Sequence, residues 1–244
     1  MRAIAGYGKT YRTEYLHHHI AHRSHYRQDA PEALLFFFNY MFMRGRRDEL
    51  SQKFYDLAHK VLEQINSEGP HYLSCWDGHR SKQLDARLKG KGVNNHSDRK
   101  MILATLEWLN ARLAETGYNI VEYAIREIQN HRLSQLYQKL DDIPYIGDKL
   151  ASFFLRDVVD IYSLERWVDD RTDAYYLQPV DTWVQQVAQT IGIVSRNAKP
   201  EKVRRAIVLA CQRVCVSSIR FNQGAWYVGK HSLDILLKEF GRRK

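Results

Sequence analysis

Two side chains in the sequence stand where helix ends could prepare them for chemistry. They are Lys149, in the stretch DDIPYIGDKLASFFLRD, and Asp181, in QPVDTW. Pro144 leads a turn with Gly147 at its tip, and the apolar run that begins near Lys149 reads as a helix to Ile161. Pro179 and Val180 lead into a second helical pattern, Thr182 to Ile191, which puts Asp181 at its N-cap or in its first turn. The positive end of a helix disfavours a charged ammonium and favours a carboxylate. An amine kept partly neutral beside a carboxylate is a nucleophile for sugar or carbonyl carbon. The plain alternative is an exposed helix-start lysine and a capping aspartate.

The elements that must position this pair read as helices throughout. Asp29 and Pro31 open an apolar helix, ALLFFFNYMFMRG, in which Asn39 is the one polar side chain and needs a partner if buried. A second helix spans Asp48 to Ile65, with Leu50, Phe54, Leu57, Val61 and Ile65 at helical spacing. Asn66 to Asn95 is read as the main irregular stretch, holding Cys75 and Trp76. Ser97 opens the next helix and Gly117 closes it, and Asn119 to Gln129 and His131 to Leu140 follow as shorter helices. After Asp181 come a capped helix from Glu201 to about Ser218, an aromatic turn FNQGAWYVG, and a last helix from His231 to Phe240. Nothing alternates with a period of two, so the chain is expected to be all-α. His18, His22 and His25 would share one side of a helix, but a polar strip accounts for them better than a metal site, and no metal is expected. GYGKT lacks the first glycine and preceding strand of a phosphate loop.

The charge pattern narrows the partner. The formal net charge is +9, and Lys and Arg outnumber Asp and Glu by 12 to 3 in Arg196 to Lys244 and by 5 to 1 in Met1 to Gln28, whereas Asp141 to Asp181 is reversed, 4 to 10. Basic flanks around an acidic centre suit a polyanion bound at the surface and a local site that manages positive charge, although solvated helix faces would give the same count. Cys75, Cys211 and Cys215 have no paired spacing, so they are expected to be reduced and mostly buried, without a disulfide scaffold or an iron-sulfur cluster. With no span of about eighteen apolar residues and no leader-like start, no membrane is expected and the chain is read as cytoplasmic, nucleoid-associated.

The turn carries a resemblance. Ile143, Pro144, Ile146, Gly147, Lys149 and Ala151 match, in register, the helix-hairpin-helix of DNA glycosylases, and Pro179, Val180 and Asp181 match the segment that supplies the essential aspartate in that superfamily. The match is detailed from Leu140 to about Val194. The resemblance implies a two-lobed, all-helical glycosylase fold over 1–244, with a central lobe at 97–194, a second lobe from 29–95 plus 196–244, and the active site in the cleft between them. It implies Lys149 as the nucleophile of a bifunctional enzyme, a DNA glycosylase with AP (apurinic/apyrimidinic) lyase activity, and Asp181 as its catalytic aspartate. The backbone at Tyr145, Ile146, Gly147 and Asp148 would bind a DNA phosphate. The partner would be damaged double-stranded DNA, met by a monomer without a cofactor.

Three departures shape the expectation. Tyr145 stands where the family has the first glycine of the hairpin, Trp183 stands where many relatives have histidine, and Lys149 lies 32 residues before Asp181, a long spacer similar to the archaeal 8-oxoguanine glycosylase type. The spacer points to oxidised guanine and hence to base excision repair. A flipped base needs aromatic and amide partners. Candidates are Trp226 and Gln223, with Asn222, in FNQGAWYVG, then Trp183, Phe153, Asn39 and Trp76; helix or loop packing would account for each equally well. A monofunctional glycosylase for another lesion, a non-catalytic helix-hairpin-helix DNA-binding protein and a helical protein-interaction module remain open as alternatives.

Overall fold

Side-chain caps recur along the chain and set where its helices begin. The computed structural model describes residues 1–44, 48–68, 76–169 and 172–241, without the side chains of 68 and 232–241, and its described residues are helices joined by turns, with no strand. The all-α expectation is met. After α1 (Arg2–Tyr11), a π-helical turn (Arg12–Leu16), α2 (His17–Ala21) and α3 (Arg23–Gln28), Asp29 caps α4 (Ala30–Met41) by accepting the Glu32 N–H at 2.9 Å, with Pro31 in the first turn. Next come α5 (Asp48–Glu68), α6 (Gly78–Gly90), α7 (His96–Arg112), α8 (Ile120–Gln129), α9 (Leu133–Asp141) and α10 (Asp148–Ile161). Two 3₁₀ turns, Glu165–Trp167 and Ala174–Leu177, lead to α11 (Thr182–Thr190), then α12 (Pro200–Arg213) and α13 (Ser218–Gly241).

Several boundaries differ from the sequence reading. The described residues of 66–95 are largely helical: α5 continues to Glu68, and Asp77 caps α6 by accepting the Arg80 N–H at 2.8 Å. Only Leu84 and Leu88 of α6 are buried, too few to print a helical period on the sequence. FNQGAWYVG is not a turn but the middle of α13, where Gly224 is buried against α1. Asn95 rather than Ser97 caps α7, accepting the Asp98 N–H at 3.1 Å, and α12 starts on Pro200 with no side-chain cap. The His-rich stretch is not one helix, since α2 ends at Ala21 and α3 starts at Arg23. Cys211 is buried, which pushes its thiol up to about 12, but Cys215 is exposed; Cys75 lies outside the described residues.

The chain divides into two compact units, one of residues 22–127 and 135–154, the other of 1–21, 128–134 and 155–244. The first is built on α4, whose Leu34, Phe37, Phe38 and Met41 are fully buried. Phe154 meets Phe37 edge-on at 4.9 Å and Tyr40 meets Phe153 at 5.2 Å, so the start of α10 is packed on α4. Each such aliphatic or aromatic side chain contributes about 1.5–3 kcal/mol on burial. In the second unit, Ile4 of α1, Val184 and Val187 of α11, Val203 and Ile207 of α12 and Phe221, Ala225 and Val228 of α13 form one core, with Val180 in it. Among the described residues no helix is long and apolar enough to cross a membrane.

Candidate active site

The loop between α9 and α10 is a tight turn. The Ile146 N–H donates to the Ile143 carbonyl at 2.9 Å, with Pro144 and Tyr145 as the two central residues. Tyr145 has φ +70° while Gly147 is not in the left-handed region. Proline first and a positive φ second is the pattern of a type II turn, whose second position favours glycine. Tyr145 therefore takes a backbone conformation that glycine adopts without strain, and the residue is nearly half exposed. The segment Met43–Arg44 after α4 supports the turn: Arg44 Nη2 donates to the Tyr145 carbonyl at 2.7 Å, and Arg44 Nε lies 3.5 Å from buried Asp98 Oδ1.

Relieving that φ should be measurable. Tyr145→Gly removes about 1–2 kcal/mol of left-handed strain and returns about 0.5–1 kcal/mol through the freer unfolded chain. A net gain of about 0.5–1 kcal/mol in urea unfolding is expected. Tyr145→Ala keeps the strain and should give none; a loss for the glycine variant would mean that the exposed ring, not the backbone, sets stability there.

Lys149 follows in the first turn of α10. Its half-buried side chain reaches back so that Nζ donates to the Met43 carbonyl at 3.0 Å. A neutral amine can make the same bond with one hydrogen and keep its lone pair, so the carbonyl orients the amine rather than consuming it. The first intrahelical bonds of α10 run from the Leu150 and Ala151 N–H groups to the Gly147 carbonyl. A helix start of this kind is where backbone N–H groups can meet an anion. The Ile146 N–H is used within the turn.

Asp181 is the N-cap of α11, as its sequence position implies: Oδ1 accepts the Val184 N–H at 2.9 Å and the side chain is half-buried. Lys149 belongs to the unit of α4, α7 and the turn, Asp181 to that of α11, α12 and α13.

The base-contact candidates separate in the same way. Asn39, Phe153 and Trp76 are in the unit with Lys149 and all three are half-buried, Asn39 included, so it is not an enclosed amide. Gln223, Asn222, Trp226 and Trp183 are in the unit with Asp181. Gln223 and Asn222 are fully buried and bonded to protein groups, so neither offers an edge to a base in this structure. Trp226 is half-buried, edge-on to Tyr11 at 5.6 Å and Tyr15 at 5.0 Å with Lys230 Nζ 4.8 Å over its ring, a packed position. Trp183 is partly exposed and lies against the backbone of Gly229.

The sequence reading missed a buried polar cluster. Arg156 and Asp157 of α10 are fully buried, with Nε to Oδ1 at 2.8 Å and Nη2 to Oδ2 at 3.1 Å. Tyr11 donates to Asp157 Oδ2 at 2.8 Å and accepts from Arg156 Nη2 at 2.6 Å. Burial pushes the Tyr11 phenol well above its ordinary range despite the guanidinium beside it, so it remains a proton donor. Asp160, one turn on, pairs with Arg220 through Nη2 at 2.7 Å and Nη1 at 2.8 Å, and with Arg12 Nε at 3.1 Å, while Gln223 Nε2 bonds it at 2.8 Å. Part of the acidic excess of 141–181 therefore neutralises arginines inside the protein. The visible signal was charge inside an apolar helix, LASFFLRDVVDI. Among the described residues no group of three or more His, Cys, Asp or Glu is placed to hold a metal. No family model, curated protein or solved structure matches the chain.

Proposed function

We propose that the protein is a DNA glycosylase with AP lyase activity that excises an oxidised purine, most readily 8-oxoguanine. The observation that carries the reading is the type II turn between α9 and α10. In a stretch matched to the glycosylase hairpin residue by residue, the one departure, Tyr145, adopts the backbone that the replaced glycine would. As the resemblance implies, the backbone from Tyr145 to Asp148 would hold a phosphate without reading sequence. Lys149 Nζ attacks the anomeric carbon of the flipped nucleotide and the base departs with its bonding electrons. The nitrogen then loses a proton and the C1′–O4′ bond opens, O4′ leaving as the ring hydroxyl, to give a Schiff base that acidifies the neighbouring C2′ proton; loss of that proton expels the 3′ phosphate by β-elimination. Asp181, carrying a carboxylate on the helix that follows Pro179 and Val180, stabilises the positive charge that grows on the sugar.

A second reading has its own support. Lys149 is bonded to the Met43 carbonyl and Asp181 to the Val184 N–H, which are structural roles that a non-catalytic hairpin DNA-binding protein would also need. Borohydride added during incubation with 8-oxoguanine duplex separates the two. A covalent protein–DNA adduct that is lost in Lys149→Ala is expected; duplex binding with no adduct on any lesion leaves the second reading. Asp181→Asn sharpens the result, because asparagine caps a helix as well as aspartate does. If the carboxylate acts on the sugar, excision should fall on the order of 10²-fold or more with the fold intact. If it is only a cap, the rate should not change.

A further inference from the structure

We propose that Asn222 is a positioning residue for Asp181, clamping the backbone that presents its carboxylate. The inference rests on the catalytic role proposed for Asp181. From Gln178 to Asp181 the chain has no regular structure, yet Gln178, Pro179 and Val180 are all buried. Buried carbonyls outside a helix must find donors. The Gln178 carbonyl takes Arg204 Nε at 3.1 Å and the Pro179 carbonyl takes Asn222 Nδ2 at 3.1 Å. Both donors come from buried side chains on other helices, Arg204 on α12 and Asn222 on α13.

The Asn222 amide is fixed at both ends. Its Oδ1 accepts Arg156 Nη1 at 2.8 Å. A guanidinium only donates and a carbonyl only accepts, so the amide has one permitted orientation. Arg156 is itself immobilised by Asp157 and by Tyr11, whose ring lies under the guanidinium at 4.9 Å. A rigid path thus runs from α1 and α10 through Asn222 to the carbonyl two residues before Asp181. Val180, between them, is held in the apolar core. Satisfying one carbonyl needs only a donor. A carboxylate that must meet developing charge needs its backbone held to a fraction of an ångström, which this doubly locked amide supplies.

Asn222→Asp tests the clamp, because it keeps size and the acceptor for Arg156 but loses the donor to Pro179. Single-turnover excision of 8-oxoguanine from duplex DNA would be measured with saturating protein, alongside duplex Kd and the thermal midpoint. Rates are taken well below each variant's midpoint, so that only folded protein is compared. Excision should slow roughly tenfold or more, because misplacement by about an ångström can cost 10²-fold, while Kd stays within about twofold, since Asn222 is buried away from DNA. A lower midpoint with an unchanged rate per folded molecule would reduce Asn222 to a structural role and overturn the proposal. Should Asn222→Asp not fold, Arg156→Lys is the second variant: it keeps the charge beside Asp157 but has no fork to hold Asn222 and Tyr11 together. A slowed rate at unchanged Kd supports the clamp, and a wild-type rate overturns it. A wild-type protein that excises nothing overturns the glycosylase reading itself, and the clamp with it.

Discussion

Gly224→Ala should lower stability by about 3 kcal/mol even though alanine is the better helix former. A Cβ on Gly224 would stand 1.9 Å from the Ile4 carbonyl oxygen, 2.9 Å from the Ile4 carbonyl carbon and 3.0 Å from the Gly8 nitrogen. All three are backbone atoms of α1, so no side chain can swing aside and the helix itself must move. The contact is reciprocal, since a Cβ on Gly8 would lie 2.4 Å from the Arg220 carbonyl oxygen. The gain of about 1 kcal/mol from replacing a mid-helix glycine is outweighed by an overpacking cost of about 4 kcal/mol, above the usual 1–3 kcal/mol because nothing yields. In a chain of this size the midpoint of thermal unfolding should fall by roughly 10 °C. Gly8→Ala should act in the same direction. The double variant should cost less than the two together, because a displaced α1 accommodates both methyl groups. A Gly224→Ala protein as stable as wild type would mean that α1 does not lie against α13 at this spacing.

Gly224 also shows where sequence reading loses its grip. A glycine among aromatics, FNQGAWYVG, has the composition of a turn, and only the neighbour reveals that its missing side chain makes room for α1. That neighbour is more than two hundred residues away, beyond the reach of any local pattern. Features with local causes were legible. Asp29 and Asp181 cap because a short acceptor precedes each helix, and the turn after Leu140 is announced by Pro144. Even there the strained residue was hidden, because Gly147 was the apparent tip while the positive φ falls on Tyr145. α6 was missed because two buried leucines in thirteen residues leave almost no periodicity. Asn222 and Gln223 drew attention as amides beside aromatics, but their partners Arg156, Asp157 and Asp160 come from α10, so the sequence could mark them as unusual and could not say what they bind.

Removing the guanidinium at the centre of that cluster should have the other large effect. Arg156→Met fills most of the same volume with apolar atoms, yet it strips Asp157 of two bonds, Asn222 of one and Tyr11 of one. Arg156 and Asp157 are both fully buried, so water cannot replace what is lost. Breaking a buried pair from one side costs about 3–5 kcal/mol, most of it from the stranded partner rather than from the bond. That origin predicts strong coupling. In Arg156→Met/Asp157→Leu neither charge remains, so urea unfolding should show the double variant destabilised by clearly less than the sum of the singles. Tyr11→Phe in the wild-type background should cost only about 1–2 kcal/mol, because the ion pair it bridges survives. Additive losses for Arg156 and Asp157 would mean that each acts through separate partners and that the cluster is no unit. Coupled losses place much of the energy of this cluster in charges that bind one another, and the bond from Arg156 to Asn222 carries that rigidity on to the Pro179 carbonyl, two residues before Asp181.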